Sequence, residues 1–384
     1  MKYSTTLLSA GIALACSMPL QVIAADDDST GRTSFEQRAA LSKRIKALRQ
    51  LRKQVPVPVP SGLFGIYAFP EKGQGVAGIN VQHHKFEGLI QGTDSVSAES
   101  VVTSAPNRFF GNPGQPPTLR VVPKSAEADV IFPFANFSLN DKFALVALAP
   151  LIRKKTVLET FQGAAGTTSL GTNTVKSEGL GDIKFGTIFR AYNSEDFKHN
   201  VVFDAVLSAP TGSIKEEDYN LTPSNTLMKT RLAYGMQLGS GTWDALIGAV
   251  YWGKEKQWGW GAQYLATVPL ESENSQGWRY GDKHEGTAWV SYSWSPDLVS
   301  SIRLRGETQG KIQGIDSNIY GPGLGANPDN YGGERVEVGI GVNWMPAPAN
   351  NLSFELLLPV HQDRNGVQAE HDFSLALSWR TGFF

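Results

Sequence analysis

The chain has 384 residues, of which 40 are glycine, 21 are proline and 9 are tryptophan, and its formal net charge is −1. This charge gives no reason to expect a nucleic-acid partner. The mean hydropathy of −0.21 and the many glycine and aromatic residues fit an exported β-protein.

Residues 1–25 have the pattern of a secretory signal peptide. Lys2 precedes an apolar core over residues 7–14, and small residues up to Ala25 offer cleavage sites before an acidic tip. The only cysteine, Cys16, lies inside this segment in a poor context for lipidation. The sequence therefore predicts a mature protein without cysteine, which excludes disulfides and thiolate metal sites.

Residues 26–60 form an acidic tip, a predicted helix and a spacer. From Ser34 to Gln54 apolar residues recur with a spacing near 3.5, basic residues cover the other faces, and Ser34 can cap the start. We interpret this segment as a short periplasmic helix; a plug for the barrel lumen and a binding site for a periplasmic partner remain open alternatives. Alternating Val and Pro over residues 55–60 predict an extended, semi-rigid spacer.

Residues 61–384 contain predicted strands and almost nothing helical. Short connections alternate with long ones, and the long connections are predicted over residues 84–126, 154–180, 211–241 and 310–332. An even number of strands with short turns on one side and long loops on the other is typical of outer-membrane proteins. We therefore predict an all-β fold, a transmembrane antiparallel β-barrel of about 12 strands in the outer membrane, with its short turns on the periplasmic side.

The last strand and the tryptophans agree with this prediction. Apolar residues occupy alternate positions from Phe373 to Trp379, and the chain ends on Phe384, which resembles the closing strand of outer-membrane barrels. In those proteins the terminal aromatic residue is recognised by the barrel-assembly machinery, which is a predicted partner together with outer-membrane lipid. Five tryptophans fall at predicted periplasmic strand ends, where an aromatic belt is expected: Trp252, Trp258, Trp294, Trp344 and Trp379.

Charged residues at alternate strand positions are expected to face the lumen, because a basic residue facing lipid near mid-membrane costs roughly 2–4 kcal/mol. Counting from the short turns places Arg305 near Glu337, and Glu355 near Arg380; Arg335 and His361 are also predicted to face inward. These groups either stabilise a narrow lumen or select what passes through it. The lumen candidates are Lys184, Arg190, Arg303, Arg305, Glu307, Glu337, Glu355 and Arg380.

Four prolines lie near the outer ends of predicted strands: Pro150, Pro210, Pro269 and Pro359. Proline cannot donate a hydrogen bond to a sheet, so each proline marks a bulge or the end of strand pairing. They are interpreted as strand exits at the rim. The alternative is a weakened wall through which an apolar solute leaves sideways.

The sequence contains no pattern typical of an enzyme. The pair His83 and His84 at a strand end is interpreted as a rim feature rather than a metal site. A serine and histidine with an orienting polar partner, as outer-membrane phospholipases require, is not recognisable. We expect no catalytic residues, no cofactor and no metal.

Five blocks of the sequence carry a family resemblance: GLGDI at 179–183, LSAPTGS at 207–213, LGSGTWD at 238–244, GGER at 332–335 and LPVHQDRNGVQ at 358–368. Together they resemble the outer-membrane proteins grouped with the meta-pathway of phenol degradation. The resemblance covers roughly residues 75–384 and implies a barrel that admits small, often aromatic or hydrophobic, solutes. We therefore predict a channel for passive uptake; the alternative is an anchoring barrel whose N-terminal helix binds a periplasmic partner.

Overall fold

The computed structural model describes residues 72–195, 198–347 and 349–383, together with Ser42 and Pro60. The predicted signal peptide, the predicted N-terminal helix, most of the Val-Pro segment and the terminal Phe384 lie outside the described residues, so the interpretations of those segments remain predictions. All of the strands lie in one compact unit of the chain, within residues 55–384.

Strands make up most of the described chain, with one α-helix and three single turns of 3-10 helix. The helix, α1 (Ala98–Ser104), begins at Ser97, whose side chain accepts a hydrogen bond from the backbone N–H of Ser100. Within the described ranges, no helix is long and apolar enough to cross a membrane. The strands are β1 (Gly75–Gly92), β2 (Asp94–Val96), β3 (Val121–Ser138), β4 (Phe143–Leu148), β5 (Leu151–Phe161), β6 (Ser169–Leu180), β7 (Lys184–Asn193), β8 (His199–Ser208), β9 (Glu217–Leu221), β10 (Leu227–Arg231), β11 (Asp244–Glu255), β12 (Trp258–Pro269), β13 (Trp278–Arg279), β14 (Lys283–Ser295), β15 (Leu298–Gln309), β16 (Gln313–Gly314), β17 (Gly333–Ala347) and β18 (Asn350–Phe383).

The main sheet closes on itself, because β1 pairs with β18 on one side and with β3 on the other. The long β18 folds back at Gly366, where φ is +61°, and its two halves face each other: the backbone N–H of Gly382 donates to the carbonyl of Ala349. β4 with β5, and β6 with β7, each form one interrupted pass. Twelve antiparallel passes of the described chain therefore form the wall, which confirms the predicted barrel.

Alternation sets the two faces of each strand. On β15, Ile302 and Leu304 are 58% and 53% exposed on the outer surface, whereas Arg303 between them is buried inside. Large apolar side chains cover the outer surface in the same way on other passes. A continuous exposed surface of this kind is suited to lipid. Examples are Phe185, Phe203, Ile247, Ile340, Phe354 and Leu377.

The structure corrects three expectations. The predicted loop over residues 154–180 is largely the β5–β6 hairpin, whose polar residues hide the alternation of a membrane strand. Trp252 is only 4% exposed and packs inside the barrel, whereas Trp258, Trp294 and Trp344 are exposed. His361 is also exposed, because a register shift beside Pro359 reverses the alternation and turns Gln362 inward.

Candidate functional site

The lumen is packed with side chains at the end of the short turns. One side of it is an apolar cluster contributed by β4, β7, β8, β11, β12 and β14. Ile188 and Val202 in this cluster have no exposed surface. A solute moving straight along the barrel axis must displace these side chains. The cluster comprises Ala144, Val146, Ile188, Val202, Val206, Leu246, Val250, Trp252, Leu265 and Trp289.

A buried ion pair adjoins this cluster, since Arg303 on β15 is the sheet partner of Trp289 on β14. Nε and Nη2 of Arg303 donate to the two carboxylate oxygens of Glu355 at 2.9 and 2.7 Å, and the side chains are 2% and 0% exposed. The pair spans the intervening strand β17, where Gly339 and Gly341 lie opposite Arg303 and Glu355. A Cβ at Gly339 would lie 3.1 Å from a Glu355 oxygen, so glycine leaves the space in which the pair forms.

Farther toward the long loops, six charged residues form a network that we call the charged belt. Arg305 is its centre and donates hydrogen bonds to Glu285, Glu307 and Glu337. Lys283 lies 3.1 Å from both Glu285 and Glu307, and Arg335 lies 3.3 Å from Glu307. Three cations therefore face three carboxylates, which is the condition under which charge is tolerated in a poorly solvated lumen. The charged belt consists of Lys283, Glu285, Arg305, Glu307, Arg335 and Glu337.

The sequence-derived candidates are only partly brought together. Arg305 lies directly opposite Glu337, whereas Glu355 pairs with Arg303 and not with Arg380. Arg380 instead donates to the side chain of Asn351 at 3.2 Å. Lys184 and Arg190 both lie on β7; Lys184 borders the same lumen cavity as the charged belt, whereas Arg190 does not line that cavity. Their role in selecting solutes remains a prediction.

Two members of the charged belt, Lys283 and Glu285, were missed by sequence reasoning. They occupy alternate positions at the start of β14 and face inward with Thr287. The alternation rule that identified Arg303 and Arg305 also identifies them once the strand is extended to Lys283. The strand predicted from the sequence began at Glu285, two residues too late, and Glu285 was not included among the lumen candidates.

Asp204 on β8 is a buried carboxylate without a partner. It is 3% exposed, and neither carboxylate oxygen has a hydrogen bond to any described residue. Its surroundings are apolar, with Val202 and Val206 flanking it on the same face. A buried charge that lacks a partner is strongly unfavourable.

We expect Asp204→Asn to raise the free energy of unfolding by about 1–3 kcal/mol, because the amide of similar shape carries no charge. Urea unfolding of the folded barrel in lipid vesicles, followed by tryptophan fluorescence, measures the change. Asp244→Asn is the matched control, since Asp244 accepts a 2.6 Å hydrogen bond from Thr242. This substitution should not raise the free energy of unfolding. A destabilised Asp204→Asn variant would show that neighbouring groups offset the cost of burying the Asp204 carboxylate.

The barrel wall is interrupted between β6 and β8. β7 pairs with β8 from Lys184, which lies opposite Ser208, but β6 pairs only with β5. On the neighbouring pass, Pro150 separates β4 from β5 and its carbonyl accepts the N–H of Gly181 at 2.8 Å. Proline cannot extend the ladder, so both passes break at the same level.

The other three prolines also mark interruptions. Pro210 follows the end of β8, Pro269 is the last residue of β12, and Pro359 lies at the register shift against β17. Pro150 differs from them because it borders a cavity at the wall interruption.

The segment over residues 209–243 covers the wall interruption and is held there by Asp182. The Asp182 carboxylate is buried and accepts hydrogen bonds from the backbone N–H groups of Gly212 and Ser240 at 2.9 and 2.7 Å. A Cβ at Gly239 would lie 2.5 Å from an Asp182 oxygen, so the backbone can approach only as glycine. We call this arrangement the Asp182 latch.

Three adjoining cavities connect these features. The outer cavity, of about 550 Å³, lies among the long loops, and the lumen cavity, of about 450 Å³, is lined by the charged belt. Glu307 and Arg335 border both cavities. The wall cavity, of about 330 Å³, lies beside Pro150 and the Asp182 latch and shares Phe132 and Lys184 with the lumen cavity.

The long loops form a core of their own around the outer cavity. The hydroxyl of Tyr280 donates to the carbonyl of Tyr234 at 2.9 Å, and the hydroxyl of Tyr331 donates to that of Gly325 at 2.8 Å. Burial raises the pKa of both hydroxyls above their ordinary value, so they stay protonated and keep donating. Both hydroxyls therefore remain hydrogen-bond donors at a higher pH than an exposed tyrosine hydroxyl would.

The two adjacent histidines contact different partners. Nδ1 of His83 lies 2.8 Å from Asp129, and Nδ1 of His84 lies 2.7 Å from the hydroxyl of Ser374. Among the residues that the structure describes, no cluster of three or more His, Cys, Asp or Glu side chains is arranged to hold a metal ion.

No protein-family model and no curated protein matches the chain. Among solved structures, an outer membrane channel from Pseudomonas putida F1 is similar, with 16% identity and a TM-score of 0.54, over 85% of this chain and 100% of that one. The P. putida toluene transporter TodX has 11% identity and a TM-score of 0.40 over 82% and 91%. A Pseudomonas aeruginosa FadL homologue has 9% identity and a TM-score of 0.43 over 84% and 94%. The first likeness shows that this chain has the fold of that barrel.

Proposed function

We propose that this chain is an outer-membrane channel that admits small hydrophobic or aromatic solutes by passive diffusion. The observation that carries the proposal is the outer cavity, a largely apolar space that adjoins the lumen cavity through Glu307 and Arg335. Concave, mostly apolar spaces with a few polar groups are typical of small-molecule sites. The likeness to an outer membrane channel supports this function and this location. The resemblance to the phenol meta-pathway group supports an aromatic solute.

We infer that the solute leaves sideways rather than along the barrel axis. The axial route passes the packed apolar cluster and the Arg303–Glu355 pair, whose members are almost completely buried. The lumen cavity instead adjoins the wall cavity, which ends at the interruption between β6 and β8. Entering lipid at this point is favourable in free energy for an apolar solute, because the solute does not pass through the water of the periplasm. Opening requires release of the segment over residues 209–243.

Uptake of labelled toluene by cells that carry the full chain in their outer membrane tests the channel function. We expect faster uptake than in cells without the chain. We expect severalfold slower uptake with Pro150→Val, because valine has the backbone N–H that lets β4 and β5 continue as one strand. Pro269→Val, at the end of β12, is the matched control and should leave uptake unchanged. Equal uptake with and without the chain would contradict the channel; an unaffected Pro150→Val variant would contradict the sideways exit alone.

The anchoring function predicted as the alternative depends on the segment from Ser34 to Gln54, which lies outside the described residues. Conductance of the full chain and of a variant lacking residues 26–60, in a planar bilayer, tests whether that segment plugs the lumen. We expect low conductance from both, because the packed lumen belongs to the barrel itself. High conductance only after truncation would identify the N-terminal segment as a plug.

A further inference from the structure

The outer cavity has a mostly apolar lining. Leu158, Val175, Leu232, Met236 and Ile319 line it, from β5, β6, the segment over residues 209–243 and the loop before β17. A small apolar body would be removed from water on several sides here, which is favourable by roughly 25 cal/mol per Å² of apolar area buried.

Four cations also border the outer cavity, and three of them have partners. The Lys154 amine donates to two backbone carbonyls, Arg231 lies 3.5 Å from Asp316, and Arg335 belongs to the charged belt. The fourth, Arg364 on β18, has no hydrogen bond or salt bridge to any residue in the described part of the chain.

No carboxylate that borders the cavity is free for Arg364. Glu307 is shared by Lys283, Arg305 and Arg335, and Glu127 lies 3.7 Å from Lys155. Arg364 is half-buried, so part of its guanidinium hydration is lost without a compensating anion. A guanidinium binds a carboxylate through two parallel hydrogen bonds, which is its most favourable pairing.

We propose that the outer cavity binds small amphipathic monocarboxylates, aromatic or aliphatic, with the carboxylate on Arg364 and the apolar body against the loop side chains. This inference rests on the proposed channel function and names the class of solute that the channel takes up best. The Arg364 guanidinium binds the carboxylate, whereas the apolar lining contacts the rest of the molecule. A neutral aromatic of the same size enters the same space but leaves Arg364 without an anion.

Binding of benzoate and of benzyl alcohol to the purified full chain in detergent, measured by titration calorimetry, tests the proposal. Wild type is expected to bind benzoate more tightly. Arg364→Gln should weaken benzoate binding about 10-fold or more, because a hydrogen bond to a charged group contributes about 1.5–3 kcal/mol, and should leave benzyl alcohol unchanged. Arg364→Lys keeps the charge and should recover part of the affinity.

Arg108→Gln is the matched control, since Arg108 is an exposed loop guanidinium that lies 3.3 Å from Asp329 and does not line the cavity. It should bind both probes like wild type. Heat-dependent mobility on gels checks that both barrels are folded. The proposal would be overturned if folded wild type and folded Arg364→Gln bound benzoate with equal affinity. If the chain still took up toluene in that case, the channel function would remain supported. If the chain took up no toluene, both the channel function and the carboxylate site would be contradicted.

Discussion

Glu355→Gln is expected to lower the free energy of unfolding by about 3–5 kcal/mol, the largest stability change that we predict for the lumen. The substitution leaves the Arg303 guanidinium inside the barrel, 2% exposed, without the carboxylate that binds it through two hydrogen bonds. Removing one partner of a buried pair is more damaging than removing both, because the remaining charge has lost its hydration and its partner. Urea unfolding of the barrel in lipid vesicles, followed by tryptophan fluorescence, measures the effect.

Two further variants make this prediction specific. Arg303→Met combined with Glu355→Leu removes both charges and should recover most of the lost stability. Glu334→Gln is the matched control, since Glu334 is an exposed carboxylate on the adjacent strand β17 and should change stability by less than about 0.5 kcal/mol. A Glu355→Gln barrel as stable as the Glu334→Gln barrel would mean that the ion pair does not support the lumen.

Asp182→Ala is expected to free the segment over residues 209–243 and to increase solute uptake. The Asp182 carboxylate accepts hydrogen bonds from the N–H groups of Gly212 and Ser240, and each such bond to a charged group contributes about 1.5–3 kcal/mol. Loss of about 3 kcal/mol corresponds to about a 100-fold larger open population. Hydrogen exchange should therefore accelerate at Gly212 and Ser240.

Asp218→Ala is the control for the Asp182 latch. Asp218 lies in the same segment, on β9, and accepts a 2.9 Å hydrogen bond from the backbone N–H of Lys176 on β6, but it makes no hydrogen bond to Gly212 or Ser240. It should leave exchange at Gly212 and Ser240 and toluene uptake unchanged. Faster exchange in Asp182→Ala without faster uptake would mean that the segment is held by Asp182 but does not gate the solute.

The faces of the strands were predictable from sequence at most positions. Alternate side chains of a strand point to opposite faces, and charge on the lipid face is costly, so Arg303 and Arg305 could be placed inside and Ile302 and Leu304 outside. The rule failed at His361, where the bulge beside Pro359 shifts the alternation by one residue. On β14 the predicted strand was too short, because the strand begins at Lys283.

The partners of the lumen charges were less predictable. Arg303 pairs with Glu355, 52 residues away, by crossing a strand on which glycine occupies the facing positions. Counting residues from the turns pointed instead to Arg380, because the count cannot include side-chain reach or the stagger between strands. The Asp182 latch depends on two loop N–H groups whose positions no periodic pattern describes.

The sequence by itself determined the closed antiparallel barrel, and it determined which face of each strand is apolar and which is polar. Both follow from the alternation of side chains and the cost of charge in lipid, which act within each strand. Only the tertiary structure decided which charges meet, where the wall is interrupted and which guanidinium lacks a partner. Those properties depend on the relative shift of neighbouring strands and on the packing of long loops. Neither the shift nor the loop packing is contained in the period of any single strand.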